Sequence, residues 1–126
     1  MKTIVIIDDE FGLADVLSAT LTDSGFRVHV ASNGVQGLAM VREQSPDLVI
    51  LDYMMPILDG PGVLHAMQAD DRMANIPVLM MSSLPESTVR ARCVAIVGFL
   101  RKPFPFEVLL DAVEKAVGPG ATTDLL

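Results

Sequence analysis

Five short apolar runs, separated by amphipathic stretches of helical length, constrain this chain more than any other feature. The runs are Thr3 to Ile7, Phe26 to Ala31, Asp47 to Leu51, Ile76 to Met81 and Val97 to Arg101. Between them, Leu13, Leu17 and Leu21 recur at helical spacing, and Val35, Leu38 and Ala39 mark a second helix. Val63, Leu64 and Met67 mark a third, opened by Gly60 and Pro61. Ser87 to Cys93, polar on most sides, is the least periodic of the helical stretches. Phe106, Leu109, Leu110, Val113 and Val117 mark a fifth helix, which Gly118 stops. Strict alternation of this kind implies right-handed crossovers and a parallel sheet with helices on both faces.

Strand character predicts strand order. Ile4-Val5-Ile6-Ile7, Leu48-Val49-Ile50-Leu51 and Pro77-Val78-Leu79-Met80-Met81 are apolar on both sides, as central strands covered by helices must be. Phe26, Val28 and Val30 instead alternate with Arg27 and His29, and the last run mixes Gly98 and Arg101 with Val97, Phe99 and Leu100. Those two are the expected edges. The order 2-1-3-4-5 satisfies the pattern, giving a flavodoxin-like, doubly wound α/β fold with a five-stranded parallel sheet and five helices.

A chain of 126 residues suits one domain and can bury a core without staples. Sixteen acids against nine bases give a net charge of −7, which argues against direct nucleic-acid binding because no basic field would gather phosphates. The single cysteine, Cys93, excludes a disulfide framework and suits a reducing cytoplasm. Asp8 interrupts the first apolar run far short of a signal or membrane segment. A soluble, cytoplasmic protein is expected. The composition breaks at Gly118-Pro119-Gly120, so residues 1–118 are read as the domain and 119–126 as a flexible tail or the start of a linker.

In open α/β sheets, ligands bind off the carboxyl ends of the strands. Those ends carry Asp8, Asp9 and Glu10 after the first run, and Asp52 after the third. Ser82 and Ser83 follow the fourth run, and Lys102 the fifth. Taken singly, each is an ordinary turn, cap or surface residue. Together they are a different matter: clustered carboxylates repel by about 4 kcal/mol per pair at ~4 Å and an effective dielectric near 20. Such a cluster needs cations. Lys102 supplies one, and the remaining negative charge suits a hard divalent ion such as Mg²⁺. Metal and lysine would also neutralise an incoming phosphoryl group, leaving Asp52 free to act as a nucleophile and form an aspartyl-phosphate.

At this point the sequence resembles the response-regulator receiver domains, the CheY-like family of two-component signalling. The stretches that carry the resemblance are Ile4-Val5-Ile6-Ile7-Asp8-Asp9-Glu10, Asp47 to Pro56, Leu58-Asp59-Gly60, Ile76 to Ser83 and Gly98 to Phe104. The resemblance implies that Asp52 is the phosphoacceptor. It implies that Asp9, Asp52 and the backbone carbonyl of Met54 ligate Mg²⁺ (or Mn²⁺), with Asp8 acting through water. It makes Ser82 and Lys102 the partners of the phosphoryl oxygens, with a cis Lys102-Pro103 bond. Phe99 is then the aromatic switch, coupling the site to a face made of the fourth helix, fifth strand and fifth helix. The implied partners are a sensor histidine kinase or phosphotransfer protein and a downstream target or output domain, and phosphorylation-dependent homodimerisation fits the same pattern. Catalysis would be confined to the domain's own phosphorylation and slow dephosphorylation.

Three departures from the family pattern stand out. Val94-Ala95-Ile96-Val97 replaces a small-residue stretch, Pro105 stands where a capping side chain is common, and Met54 and Leu84 replace polar neighbours of the phosphoryl site. The last pair bears on phosphoryl lifetime. Three other readings fit less well. An FMN carrier needs amides and hydroxyls where Asp8-Asp9-Glu10 stands. A Mg²⁺-dependent aspartate phosphatase wants a second acid at the position of Met54, which cannot donate a proton. A pseudo-receiver that only binds partners would not need the intact acidic set.

Overall fold

The computed structural model describes residues 1–120. Strands β1 (Thr3–Ile7), β2 (Arg27–Ala31), β3 (Leu48–Asp52), β4 (Val78–Ser82) and β5 (Gly98–Arg101) alternate with helices α1 (Phe11–Asp23), α2 (Gly34–Gln44), α3 (Gly60–Gln68), α4 (Glu86–Arg90) and α5 (Phe106–Val117). All pairings are parallel, and the order is β2-β1-β3-β4-β5. The expected doubly wound α/β sheet is therefore present, with the alternating second strand and the mixed fifth strand at its edges. Of the expected tail, only Pro119 and Gly120 are among the described residues; 121–126 lie outside them.

Strand alternation divides the core in two. Val5, Ile7, Val49, Leu51, Val78 and Met80 face α2, α3 and α4, whose Val41, Val63, Leu64, Met67 and Val89 cover them. Ile4, Ile6, Leu48, Ile50, Leu79 and Met81 face α1 and α5 through Leu17, Leu21, Leu109 and Val113. Burying a large aliphatic side chain contributes roughly 1.5–3 kcal/mol, so both layers hold the sheet as a rigid platform.

Two helical expectations need correction. On α2, Val35 and Ala39 are exposed, and the face turned inward is Gly34, Gly37 and Val41. A Cβ on Gly37 would fall 2.6 Å from Ile7 Cδ1, so this helix reaches the sheet because its contact residues are small. On α5, Phe106 is half exposed, and Leu109 and Val113 are the fully buried anchors. The least periodic stretch forms only the five-residue α4, held down by the buried pair Val89 and Cys93. Gly60 and Pro61 do open α3, and Asp59 caps it by accepting a hydrogen bond from the Gly62 N–H at 2.9 Å. Pro105 is the N-cap of α5, without a capping side chain. Among the described residues, no helix is long and apolar enough to cross a membrane.

Candidate functional site

β1 and β3 are neighbours, paired from Ile4↔Leu48 to Ile7↔Leu51, so their carboxyl ends deliver Asp8 and Asp52 side by side. Asp8 is tied back twice. Its N–H donates to Ala31 O at 3.1 Å, and its Oδ1 accepts from the Glu10 N–H at 2.9 Å. Asp52 is the last residue of β3 and sits opposite Met81 of β4. One residue on, β4 ends in Ser82, whose carbonyl accepts from the Lys102 N–H at 2.8 Å. Asp8, Asp52 and Ser82 are the buried polar residues among those described. The Lys102-Pro103 bond is cis.

Lys102 closes the cluster. Its Nζ lies 3.0 Å from Glu10 Oε1, 3.2 Å from Asp52 Oδ1 and 3.5 Å from Asp8 Oδ2. Carboxylate oxygens of Asp8, Glu10 and Asp52 all lie within 4.8 Å of one another. Burial is the main cause that pushes the Asp52 carboxyl up to about 7; the charge of Asp8 pushes the same way, and Lys102 opposes both. For Lys102, burial pulls the ammonium down. The hydrogen bond to Glu10 and the charges of Asp52 and Asp8 more than offset that, leaving it above its ordinary value. Three carboxylates against one ammonium leave an excess of negative charge. That donor set fits a hard divalent cation, which takes oxygen ligands and neutralises the surplus.

The remaining predicted residues line the approaches. Asp9 is exposed and lies outside the Asp8–Glu10–Asp52 group. Met54 is exposed and, with Glu10, Asp52, Ser82, Ser83 and Lys102, borders an open cleft of about 170 Å³. Leu84 is half buried and shares a wider neighbouring depression with Met54, Tyr53 and Arg92. Ser82 Oγ accepts a hydrogen bond from the Leu84 N–H at 3.0 Å. Phe99, in β5 opposite Met80, packs against the α2–α3–α4 side of the core.

Two features escaped the sequence reading. Glu10, counted among the strand-end acids but given no role of its own, joins Asp8 and Asp52 in the cluster through an exposed side chain. Arg92 lies with its guanidinium 5.9 Å from the Tyr53 ring centre, 3.4 Å from the Tyr53 hydroxyl and 3.9 Å from Asp59. No local spacing could have announced a contact across 39 residues.

The response regulator receiver domain family matches residues 4–114. The chain is 36% identical over 115 residues to the DNA-binding dual master transcriptional regulator RpaA of Synechocystis sp., covering 90% of this chain and 48% of that protein. It is 32% identical over 116 residues to sporulation initiation phosphotransferase F of Bacillus subtilis, covering 90% and 92%. It therefore spans about half the length of the first relative and nearly all of the second. The chemotaxis response regulator CheY4 of Vibrio cholerae has a TM-score of 0.86 and 27% identity, covering 92% of this chain and 98% of that one. With the family match running from β1 into α5 and the acidic pocket at the strand ends, the chain belongs to the response regulator receiver domains, the CheY-like phosphoacceptor switches of two-component signalling.

Proposed function

We propose that Asp52 is the phosphoacceptor, receiving a phosphoryl group from a phosphohistidine on a sensor kinase or phosphotransfer protein. The observation that carries this reading is the meeting of Lys102 Nζ with Asp52 Oδ1 at 3.2 Å, at the floor of a cleft open to solvent. Asp52 is the one carboxylate that ends a central strand, so its attacking oxygen is held in position. That oxygen forms the new bond to phosphorus as the bond to the donor imidazole breaks. Lys102 pairs with a phosphoryl oxygen as charge is transferred. The Ser82 hydroxyl accepts from the Leu84 N–H and keeps its own proton to donate.

Asp9, Asp52 and the Met54 carbonyl would hold Mg²⁺ (or Mn²⁺), with Asp8 acting through water. The ion would supply positive charge at the transferring phosphoryl oxygens. Ser82 turning inward would free space for Phe99, biasing two packings of the face formed by α4, β5 and α5. A downstream target or output domain reads that face, which also suits pairing with a second phosphorylated copy. Phe99→Ala should then uncouple partner affinity from phosphorylation.

Intact mass after incubation with acetyl phosphate and Mg²⁺ tests the chemistry. One added phosphoryl group is expected on the wild type and none on Asp52→Asn. Labelling that survives the substitution overturns the assignment.

A further inference from the structure

Lys102 is ringed by carboxylates, with hydrogen bonds to Glu10 and Asp8 and an ion pair to Asp52. An ammonium group has three donors, and Glu10, Asp52 and Asp8 stand at 3.0, 3.2 and 3.5 Å from it. A phosphoryl group arriving at Asp52 competes with these three carboxylates for the same ammonium. The aspartates cannot yield. Their side chains are 0% and 6% exposed at the ends of β1 and β3, and Asp8 is further pinned by the Glu10 N–H.

Glu10 is built differently. Its side chain is 62% exposed, although its contact with Lys102 is the shortest of the three. It occupies the N-cap position of α1 yet makes no capping hydrogen bond. Among the described residues, Lys102 is the hydrogen-bond partner of its carboxylate. A half-turn of this long side chain would release the carboxylate into water at little cost, since exposed ion pairs are weak.

We propose that Glu10 is a displaceable counter-ion of Lys102, occupying in the unphosphorylated protein the place on the ammonium that the phosphoryl group later takes. It is a positioning residue rather than a metal ligand. It keeps Lys102 at the mouth of the cleft while the site is empty of phosphate, and its charge opposes the incoming dianion. The inference rests on Asp52 being the phosphoacceptor.

Its test is calorimetric titration with beryllofluoride, a tetrahedral stand-in for the phosphoryl group, in saturating Mg²⁺, alongside a separate titration with Mg²⁺ alone. Glu10→Gln should bind beryllofluoride about two- to fivefold more tightly than wild type, the range expected for loss of an exposed ion pair. Glu10→Asp, with its charge on a shorter arm, should fall between them. High salt should close the gap by screening. Mg²⁺ affinity should stay within about twofold. Unchanged or weaker beryllofluoride binding by Glu10→Gln, or a gap indifferent to salt, overturns the proposal while leaving Asp52 in place. A tenfold loss of Mg²⁺ affinity overturns it too, by making Glu10 a ligand. Failure of the wild type to take up beryllofluoride at all overturns both this inference and the phosphoacceptor reading.

Discussion

Lys102 Nζ lies 3.2 Å from Asp52 Oδ1, and the carboxyl is still pushed up to about 7. One ammonium shared among three carboxylates does not offset burial and the adjacent Asp8. In the unfolded chain Asp52 releases its proton near pH 4. Between there and about 7 the folded state holds a proton that the unfolded state has lost, so stability falls as pH rises. The slope cannot exceed about 1.4 kcal/mol per pH unit for one group, and the open cleft makes it shallower. Urea unfolding without divalent ions, from pH 4 to 8, should show this decline levelling off above 7. Asp52→Asn should flatten it and be the more stable protein at pH 8.

Divalent metal should reverse that penalty. Binding to the native state alone stabilises by about 2.7 kcal/mol at a hundredfold excess over Kd. Wild type should therefore melt at higher temperature with Mg²⁺, and Asp52→Asn should respond little. Asp9→Ala decides which carboxylates hold the ion. Lost Mg²⁺ binding by calorimetry supports direct ligation by Asp9. Wild-type affinity would instead assign the metal to the buried pair Asp8 and Asp52 that the fold brings together.

The difference between Asp9 and Glu10 marks where sequence reading stops. Central strands declare themselves because helices on both faces demand unbroken apolar runs, which is why β1, β3 and β4 could be ordered. Asp52 was conspicuous for a related reason, as a carboxylate ending such a run. Past Ile7 the strand alternation lapses, and nothing in three consecutive acids says which of them turns inward. Glycine is silent in the same way. Gly34 and Gly37 carry no hydrophobic signal, yet they form the packed face of α2, while Val35 points outward.

Gly60 shows how much the site depends on close backbone approach. A Cβ there would stand 2.6 Å from Asp52 O and 2.7 Å from Tyr53 Cα, backbone atoms that cannot yield cheaply. Gly60→Ala should cost about 1–3 kcal/mol in urea unfolding, as overpacking does. By prising α3 from the end of β3 it should also slow labelling by acetyl phosphate. Gly12, in the first turn of α1, is the control, with nothing within 4 Å of an added Cβ. Gly12→Ala should stabilise by up to about 1 kcal/mol, since alanine loses less backbone entropy in a helix.

Phosphoryl lifetime is set by the water that must approach in line with the phosphorus–oxygen bond, oriented by polar groups at the rim. Here Met54 lines the cleft beside Asp52, and Leu84, whose N–H is already engaged with Ser82 Oγ, lies with Met54 in the neighbouring depression. Neither side chain can hydrogen-bond a water well, and we propose that both crowd its path. Arg92, which shares their depression, has its guanidinium engaged by Tyr53 and Asp59. Aspartyl-phosphate should therefore outlive that of a receiver with polar residues at both positions. Met54→Asn combined with Leu84→Glu should shorten it by roughly tenfold or more, within the range that a positioned polar catalyst contributes. Loss of phosphate after removal of the donor, followed by intact mass, measures the rate. A matching urea midpoint for the double variant would show that the platform is intact. Equal decay rates in the two proteins would mean that Met54 and Leu84 only cover the rim, and that the water is held from elsewhere.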